Sequence, residues 1–150
     1  MRSKISSYNM ELTQLYKAED ELYHRYGVYC GLSDPAIWVL YSLYEDEGKV
    51  CTQNDLVATW FYPKQTINYT VSTLVKNGLV RLEQLSGARN SKAVLLTEEG
   101  RRLCAEKIQP LINAEEASLS CLTEEERELL MKLTQKKFEC LEQEIEKIIL

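Results

Sequence analysis

The chain has 150 residues, of which 45% are apolar, and its 18 basic and 23 acidic side chains give a formal net charge of −5. This length suits one domain with an ordinary core and excludes a second, catalytic domain. Residues 1–20 hold no apolar run of signal-peptide length, and no stretch approaches the roughly 20 apolar residues that cross a bilayer. These features predict a cytoplasmic protein with no membrane partner.

Two helices are predicted in the first third of the chain. In residues 8–27, apolar and aromatic side chains recur at three- and four-residue spacing, which predicts an amphipathic helix ending near Gly27. The sequence Ser33-Asp34-Pro35 then has the residue types that start a helix. This second helix is apolar on nearly every side until Glu45, so we expect it to form the centre of the core.

A helix-turn-helix is predicted next. Thr52 is a typical N-cap residue, and Asp55 stands three positions later, where a capping box needs its acidic member. Pro63 is suited to the first turn of the following helix, because that turn needs no backbone N–H at its start. Two short helices joined by a turn are therefore expected between Thr52 and Lys76.

The second helix of this motif has two different faces. Ile67, Val71, Leu74 and Val75 recur at helical spacing and are predicted to face the core. The outward side chains include amides that pair with adenine, a threonine that contacts the thymine methyl group, and lysines that bind phosphate or guanine. These candidate DNA contacts are Lys64, Gln65, Thr66, Asn68, Tyr69, Ser72 and Lys76.

A β-hairpin is predicted after this helix. Asn77-Gly78 has the residue types that end a helix, residues 79–82 and 93–96 read as short strands, and residues 84–91 form the tip between them. The tip is predicted to reach phosphates or the minor groove. Its candidate DNA contacts are Arg89, Asn90 and Lys92, and two more at the start of the motif are Thr52 and Gln53.

The charge distribution supports DNA as the partner. Residues 51–92 hold five basic and two acidic side chains, a surplus of three positive charges, whereas the remainder of the chain carries −8. A local basic surplus on an acidic protein is what phosphate binding at one place requires. Winged helices also serve as protein-protein interaction modules, and this alternative stays open.

The C-terminal part predicts dimerisation helices. Thr97-Glu98-Glu99 caps a long helix that Pro110 is expected to kink or interrupt. A second capping box, Thr123 to Glu126, starts a last helix whose apolar stripe exceeds what a small winged helix can cover. We therefore expect a homodimer on a pseudo-palindromic operator; the alternative is an intramolecular helical hairpin.

Three segments carry a resemblance to a known family. TQNDL at residues 52–56, PKQTINYTVSTLVKNGLV at 63–80 and LLTEEGRR at 95–102 resemble the MarR family of bacterial transcription regulators. The resemblance implies a mainly α fold with a small antiparallel β wing, in which residues 1–150 form one domain. Dimerisation helices in residues 1–32 and 98–150 would flank a DNA-binding winged helix in residues 33–97.

The resemblance also implies residue roles and a mode of action. Residues Lys64 to Ser72 would enter the major groove and residues Arg89 to Lys92 would lie toward the minor groove. The family wing usually carries an acid just before its arginine, which is missing in Gly87-Ala88-Arg89-Asn90. The resemblance favours repression over activation, because repression is the more common mode of regulation in this family.

A small aromatic effector, such as an aromatic acid or a phenol, is a further expected partner. Many family members are released from DNA by such ligands, which bind between the dimerisation helices and the winged helix. Clustered aromatic residues suit this role, although filling the core is their alternative role. The candidate ligand contacts are Tyr16, Tyr23, Tyr26, Trp38 and Tyr41.

The remaining reactive residues favour neither catalysis nor a cofactor. Five cysteines, an odd number without a C-x-x-C pair, argue against a disulfide scaffold. Cys30, beside Gly31 in a predicted loop, is the candidate for an alternative function as a thiol-based redox sensor. The single His24 could form a metal site with Asp20, Glu21 and Cys30 only by chance of folding, because no His or Cys pair has the helical spacing of metal ligands, so no metal site is expected. The sequence also lacks a phosphate loop, a nucleophile elbow and a credible catalytic pair, which predicts that the protein is not an enzyme.

Overall fold

The computed structural model describes every residue except Ala88 and Arg89. Its described residues form seven helices and one two-stranded sheet: α1 Lys4–Cys30, α2 Asp34–Glu45, α3 Gln53–Trp60, α4 Lys64–Lys76, β1 Val80–Gln84, β2 Lys92–Leu96, α5 Glu98–Lys107, α6 Gln109–Ser120 and α7 Glu124–Ile149. This mainly α architecture with an antiparallel β wing confirms the predicted fold class. The chain divides into two compact units, Met1–Gln109 and Pro110–Leu150.

Helix α1 extends three residues beyond its predicted end at Gly27. It ends at Cys30, because Gly31 takes the left-handed conformation with φ 71°. Gly27 is instead a buried residue of the helix, and a Cβ atom there would lie 3.0 Å from the carbonyl oxygen of Leu32. Gly27 therefore permits close packing, and Gly31 ends the helix.

Helix α2 lies at the centre of the first unit, as predicted. Its N-cap is Ser33, and its Val39 and Leu40 side chains are fully buried. It packs against α1, α3, α4, α5 and β2. Burying one aliphatic side chain of this size stabilises the fold by about 1.5–3 kcal/mol, so α2 is the main apolar support for the helix-turn-helix.

The helix-turn-helix begins with the predicted capping box. The Asp55 N–H donates to Thr52 Oγ1 at 3.2 Å, and the Thr52 N–H donates to Asp55 Oδ2 at 2.9 Å. Helix α3 ends at Trp60, and its C-cap Phe61 is the one non-glycine residue of positive φ (58°) in the described chain. Pro63 is the N-cap of α4, one residue earlier than its predicted place inside the first turn.

The buried face of α4 differs from the prediction at two positions. Ile67, Val71 and Leu74 are buried as expected, but Val75 is 38% exposed. Thr70 takes its place in the core at 5% exposure. The Thr70 hydroxyl donates to the Thr66 carbonyl oxygen at 2.7 Å, which offsets the cost of burying a polar group.

The strands of the wing extend further toward its tip than predicted. The antiparallel register pairs Val80 with Leu96 and Gln84 with Lys92. Gln84 and Lys92 therefore belong to the strands and not to the tip, and they are the last pair before the connecting turn. In the middle of β2, the Val94 N–H donates to the Cys51 carbonyl oxygen at 2.7 Å, which joins this strand to the residues just before α3.

The base of the wing is fastened to α5. The Thr97 hydroxyl donates to the Gly78 carbonyl oxygen at 2.6 Å and accepts from the Gly100 N–H at 3.0 Å. A Cβ atom at Gly100 would lie 2.0 Å from the Leu79 carbonyl oxygen. Only glycine permits this approach of α5 to the residue before β1.

The second unit contains most of α6 and all of α7. Ile108 is the C-cap of α5 and separates it from α6 two residues before Pro110, which confirms the predicted interruption. The predicted capping box of α7 forms between Thr123 and Glu126. Arg127 donates to the carbonyl oxygens of Leu119 and Leu122, at 3.2 and 2.6 Å, and so closes the α6–α7 turn. No helix in the described part of the chain is both long and apolar enough to cross a membrane.

Replacing Gly100 by alanine should destabilise the protein strongly, because the methyl group meets backbone that cannot rotate away. We expect Gly100→Ala to lower the free energy of unfolding by about 3 kcal/mol. Glu99→Ala in the same turn should cost less than about 0.5 kcal/mol. Urea unfolding of both variants at one protein concentration provides the measurement. A Gly100→Ala loss no larger than that of Glu99→Ala would contradict this account of the wing base.

Candidate nucleic-acid interface

A polar cleft of about 410 Å³ lies where α3, α4 and the wing meet. Six of the predicted DNA contacts line it. Three residues that the sequence analysis did not select complete the lining: Asn54, Leu82 and Ser91. The six predicted ones are Thr52, Gln53, Lys64, Asn68, Asn90 and Lys92.

The walls of this cleft are held by hydrogen bonds near its base. The capping box fixes Thr52 at the start of α3, and an isolated β-bridge pairs Thr52 with Ala93. Lys92 is the residue before Ala93, so its backbone position is set by the same bridge. These ties bring the wing and the start of α3 to one place, although 40 residues of chain separate Thr52 from Lys92.

The cleft favours an anionic partner. Among its described lining residues, none is acidic and two are lysines. Helix α4 begins beside it, and the N-cap Pro63 makes no side-chain hydrogen bond to the first N–H groups of that helix. Unpaired N–H groups at a helix start, together with the positive end of the helix dipole, attract phosphate oxygens.

Gln53 has an unusual environment in the cleft. Its Oε1 atom is buried and has no hydrogen-bond partner among the described residues. Burying an acceptor that has no donor costs free energy. If the Gln53 side chain rotates into the cleft, a donor on a bound molecule can form the missing hydrogen bond and offset this cost. Gln53 is thus well placed to gain a partner on binding.

The remaining candidates on α4 lie outside the cleft. Gln65, Ser72 and Lys76 are exposed, Thr66 is half-buried, and Tyr69 is 76% exposed. Tyr69 lines a neighbouring apolar groove of about 260 Å³ that also includes Thr73. The predicted contact Arg89 falls outside the described residues.

The predicted effector contacts separate into a cluster and two outliers. Tyr23, Trp38 and Tyr41 come together, with ring centroids 5.0 Å apart for Tyr23–Trp38 and 5.5 Å for Trp38–Tyr41. Sequence analysis missed Trp60, whose ring stacks on Trp38 at 4.7 Å. Its spacing of four residues from the buried Leu56 was the available signal.

The two outliers are Tyr16 and Tyr26. Tyr16 is 46% exposed on α1 and has no ring contact with this cluster in the described structure. The Tyr26 hydroxyl donates to the Lys107 carbonyl oxygen at 2.7 Å and so joins α1 to α5. Burial, together with the neighbouring Cys30 thiol, raises the pKa of Tyr26 to about 12, so its hydroxyl stays a donor.

The candidate redox residue Cys30 is not in a loop. It is the last residue of α1 and only 9% exposed, so the predicted loop placement is wrong. Helix α1 continues one turn beyond its predicted end, and Cys30 in this last turn is buried against the core. A cysteine that senses peroxide needs access to solvent, which this position does not offer.

A smaller cleft of about 330 Å³ borders the aromatic cluster. It is lined by Asp20, Tyr23, Asp34, Ile37, Trp38 and Tyr62. Burial raises the pKa of Tyr62, and the negative charges of Asp34 and Asp20 raise it further. Tyr62 was also missed by sequence analysis, because its place beside α1 and α2 depends on tertiary packing.

Comparison with known proteins agrees with this architecture. The sequence profile of the MarR family matches residues 31–89, whereas no curated protein matches the chain. A MarR family regulator from Neisseria meningitidis is 20% identical, with a TM-score of 0.77 over 97% of this chain and 99% of its own. The S. aureus MepR–DNA complex is 19% identical, with a TM-score of 0.71 over 89% and 97%. NadR in complex with 4-hydroxyphenylacetate is 22% identical, with a TM-score of 0.71 over 91% and 95%.

The family profile covers the middle of the chain, whereas the solved structures cover nearly all of it. The profile spans the core helix α2, the helix-turn-helix and the first strand of the wing. The structural matches extend the same fold to both terminal helices, and at these identities they establish the fold alone. Residues 31–89 therefore match the MarR family profile, and nearly the whole chain shares the fold of solved MarR family regulators.

Proposed function

We propose that this protein is a transcriptional regulator that binds a specific double-stranded DNA site through the polar cleft and the exposed face of α4. The observation that carries the proposal is the meeting of six predicted contacts from α3, α4 and the wing in one cleft whose described lining has no acidic side chain. A surface of this composition suits a phosphate backbone with base edges beside it. The complex of S. aureus MepR with DNA shares the fold and lends support.

Each part of the surface has its own task in this proposal. Lys64 and the uncapped start of α4 bind phosphate, since both are positive and adjacent. Asn68 lies one turn further along α4, where an amide can pair with adenine in the major groove. Lys92 and Asn90 approach the backbone from the wing.

The proposed assembly is a homodimer on a pseudo-palindromic operator. Helix α7 is 26 residues long and has no buried residue, yet Leu129, Phe138 and Ile145 are each about half exposed or more. An apolar stripe of that length is what a second subunit covers. Two-fold symmetry would place two α4 helices on successive major-groove faces about 34–36 Å apart.

The proposed regulation is repression relieved by a small aromatic effector. The cluster of Tyr23, Trp38 and Tyr41 beside an open cleft supports a ligand site, as does NadR, which shares the fold and was solved with 4-hydroxyphenylacetate. A ligand releases DNA only if it binds the DNA-incompetent dimer more tightly. The buried position of Cys30 favours this mechanism over thiol sensing.

Direct base reading predicts a sequence-dependent loss on removing the Asn68 amide. Asn68→Ala should cost about 1–3 kcal/mol on the cognate site and little on random DNA. The control is Asn9→Ala, which removes an exposed amide from α1. Gel shifts with the protein's own upstream region, with competitor DNA present, give both values. Equal losses on the two DNA sequences would argue against direct readout.

Phosphate contact predicts a change in salt dependence. Lys92→Ala and Lys64→Ala should weaken binding to all sequences alike, and each should flatten the slope of log K against log salt by about one unit. Lys17→Ala, which removes an exposed lysine from α1, should leave the slope unchanged. If Lys92→Ala leaves the slope of log K against log salt unchanged, the proposed contact between the wing and DNA phosphate is wrong.

Dimerisation predicts that α7 controls the oligomeric state. Sedimentation at micromolar protein concentration should give a dimer, and deletion from Phe138 onward should give monomer or aggregate because an apolar surface loses its cover. Leu141→Asp tests the same surface in the full chain, with Gln143→Glu as the control on the same helix. A folded, soluble monomer of the unaltered protein would contradict both the dimer and the palindromic operator.

A further inference from the structure

The cleft beside the aromatic cluster has a composition that restricts the charge of its ligand. Its walls come from three places: Asp20 and Tyr23 on α1, Asp34 and Trp38 on α2, and Tyr62 in the turn before α4. Its volume of about 330 Å³ is at the lower end of the range for small-molecule sites. A ligand of one ring with a short substituent would fit this space.

The aromatic wall is fixed in position by its neighbours. Trp38 is held between Tyr23, at 5.0 Å, and Trp60, which stacks on it at 4.7 Å with an interplanar angle of 24°. Trp60 is itself anchored, because its Nε1–H donates to Ser42 Oγ at 2.7 Å. A fixed ring costs little entropy on binding, and its π face attracts both another ring and a positive charge.

The polar wall is negative. Both of its charged residues are aspartates, and no lysine or arginine lines the cleft. In the described structure, Asp34 pairs with His24, whose Nδ1 atom lies 3.0 Å from Asp34 Oδ1, and Asp20 has no ion-pair partner. The raised pKa of Tyr62, to which both carboxylates contribute after burial, indicates that their field crosses the cleft.

We propose that this cleft binds a small aromatic organic cation, such as an arylalkyl amine or a quaternary ammonium. The rings of Tyr23, Trp38 and Tyr62 would contact the aromatic part, and Asp20 with Asp34 would face the positive charge. An aromatic acid, which the sequence analysis included among the expected effectors, would meet repulsion from two carboxylates. The effector is therefore aromatic, as expected, but carries a positive charge.

The location of Tyr62 gives such a ligand a route to the DNA-binding surface. Tyr62 directly precedes Pro63, the N-cap of α4, and follows Phe61, whose left-handed conformation is strained for a non-glycine residue. A ligand seated on Tyr62 contacts the turn that sets where α4 begins. This regulatory consequence rests on the proposed DNA-binding function, whereas ligand binding itself does not.

Three compounds that differ mainly in charge test the proposal. Tyramine is a cation, tyrosol is its neutral alcohol analogue, and 4-hydroxyphenylacetate is an anion. Fluorescence is a direct probe, because the chain's two tryptophans, Trp38 and Trp60, both belong to the cluster at the cleft. We expect tyramine to bind about fivefold more tightly than tyrosol, and the anion to bind most weakly.

A matched pair of variants identifies the carboxylate. Asp20→Asn should weaken tyramine binding about threefold and leave tyrosol binding unchanged, because only the cation loses a charge partner. Glu19→Gln removes the same charge from the adjacent position of α1, outside the cleft, and should change neither. Helical circular dichroism checks that both variants are folded.

The possible outcomes separate this inference from the proposed function. Equal or tighter binding of 4-hydroxyphenylacetate, an equal effect of the two variants, or no saturable quenching by tyramine would overturn the cationic site. Gel shifts without ligand decide DNA binding independently of those results. If the unliganded protein binds its operator, tyramine should weaken that complex in the parent protein and less so in Asp20→Asn; an unaltered complex would overturn the coupling through Tyr62.

Discussion

The attachment of strand β2 to the start of helix α3 determines the rest of the DNA-facing surface. It consists of the Val94 N–H bond to the Cys51 carbonyl oxygen and the bridge between Thr52 and Ala93. Ala93 and Val94 are buried, so water cannot replace the Val94–Cys51 hydrogen bond, which contributes about 0.5–1.5 kcal/mol net. The attachment sets the position of Lys92 relative to Gln53, in addition to the ties that hold the base of the wing to α5.

Helix α4 joins this surface to the core, and the turn before it joins the surface to the aromatic cleft. Ile67 and Val71 are fully buried on one side of α4, while Asn68 and Lys64 face the polar cleft on the other. Helix α4 can therefore shift its polar face only if the core side chains repack. Because a close-packed core has few stable packings, we expect two discrete positions of α4 and not a continuous motion. Tyr62 lies at the start of that helix, where a ligand can favour one arrangement.

Local signals made much of the fold predictable from sequence. The capping boxes at Thr52 and Thr123 involve residues only three positions apart, so their residue types alone identify the helix starts. The end of α1 was not predictable, because both Gly27 and Gly31 are suitable glycines and only packing against Leu32 decides between them. The candidate site divides in the same way: the face of α4 follows from periodicity, whereas the contributions of Trp60 and Tyr62 depend on packing between distant segments.

The central claim is that α3, α4 and the wing form one DNA-reading surface. Its most direct test is an NMR titration of the backbone amides with a DNA site selected by the protein from a random pool, compared with a scrambled fragment. The account predicts that the selected site perturbs the amides of Gln53, of Lys64 to Asn68 and of Asn90 to Lys92, and does so more than the scrambled fragment. Perturbations confined to other elements, or identical with both fragments, would contradict it.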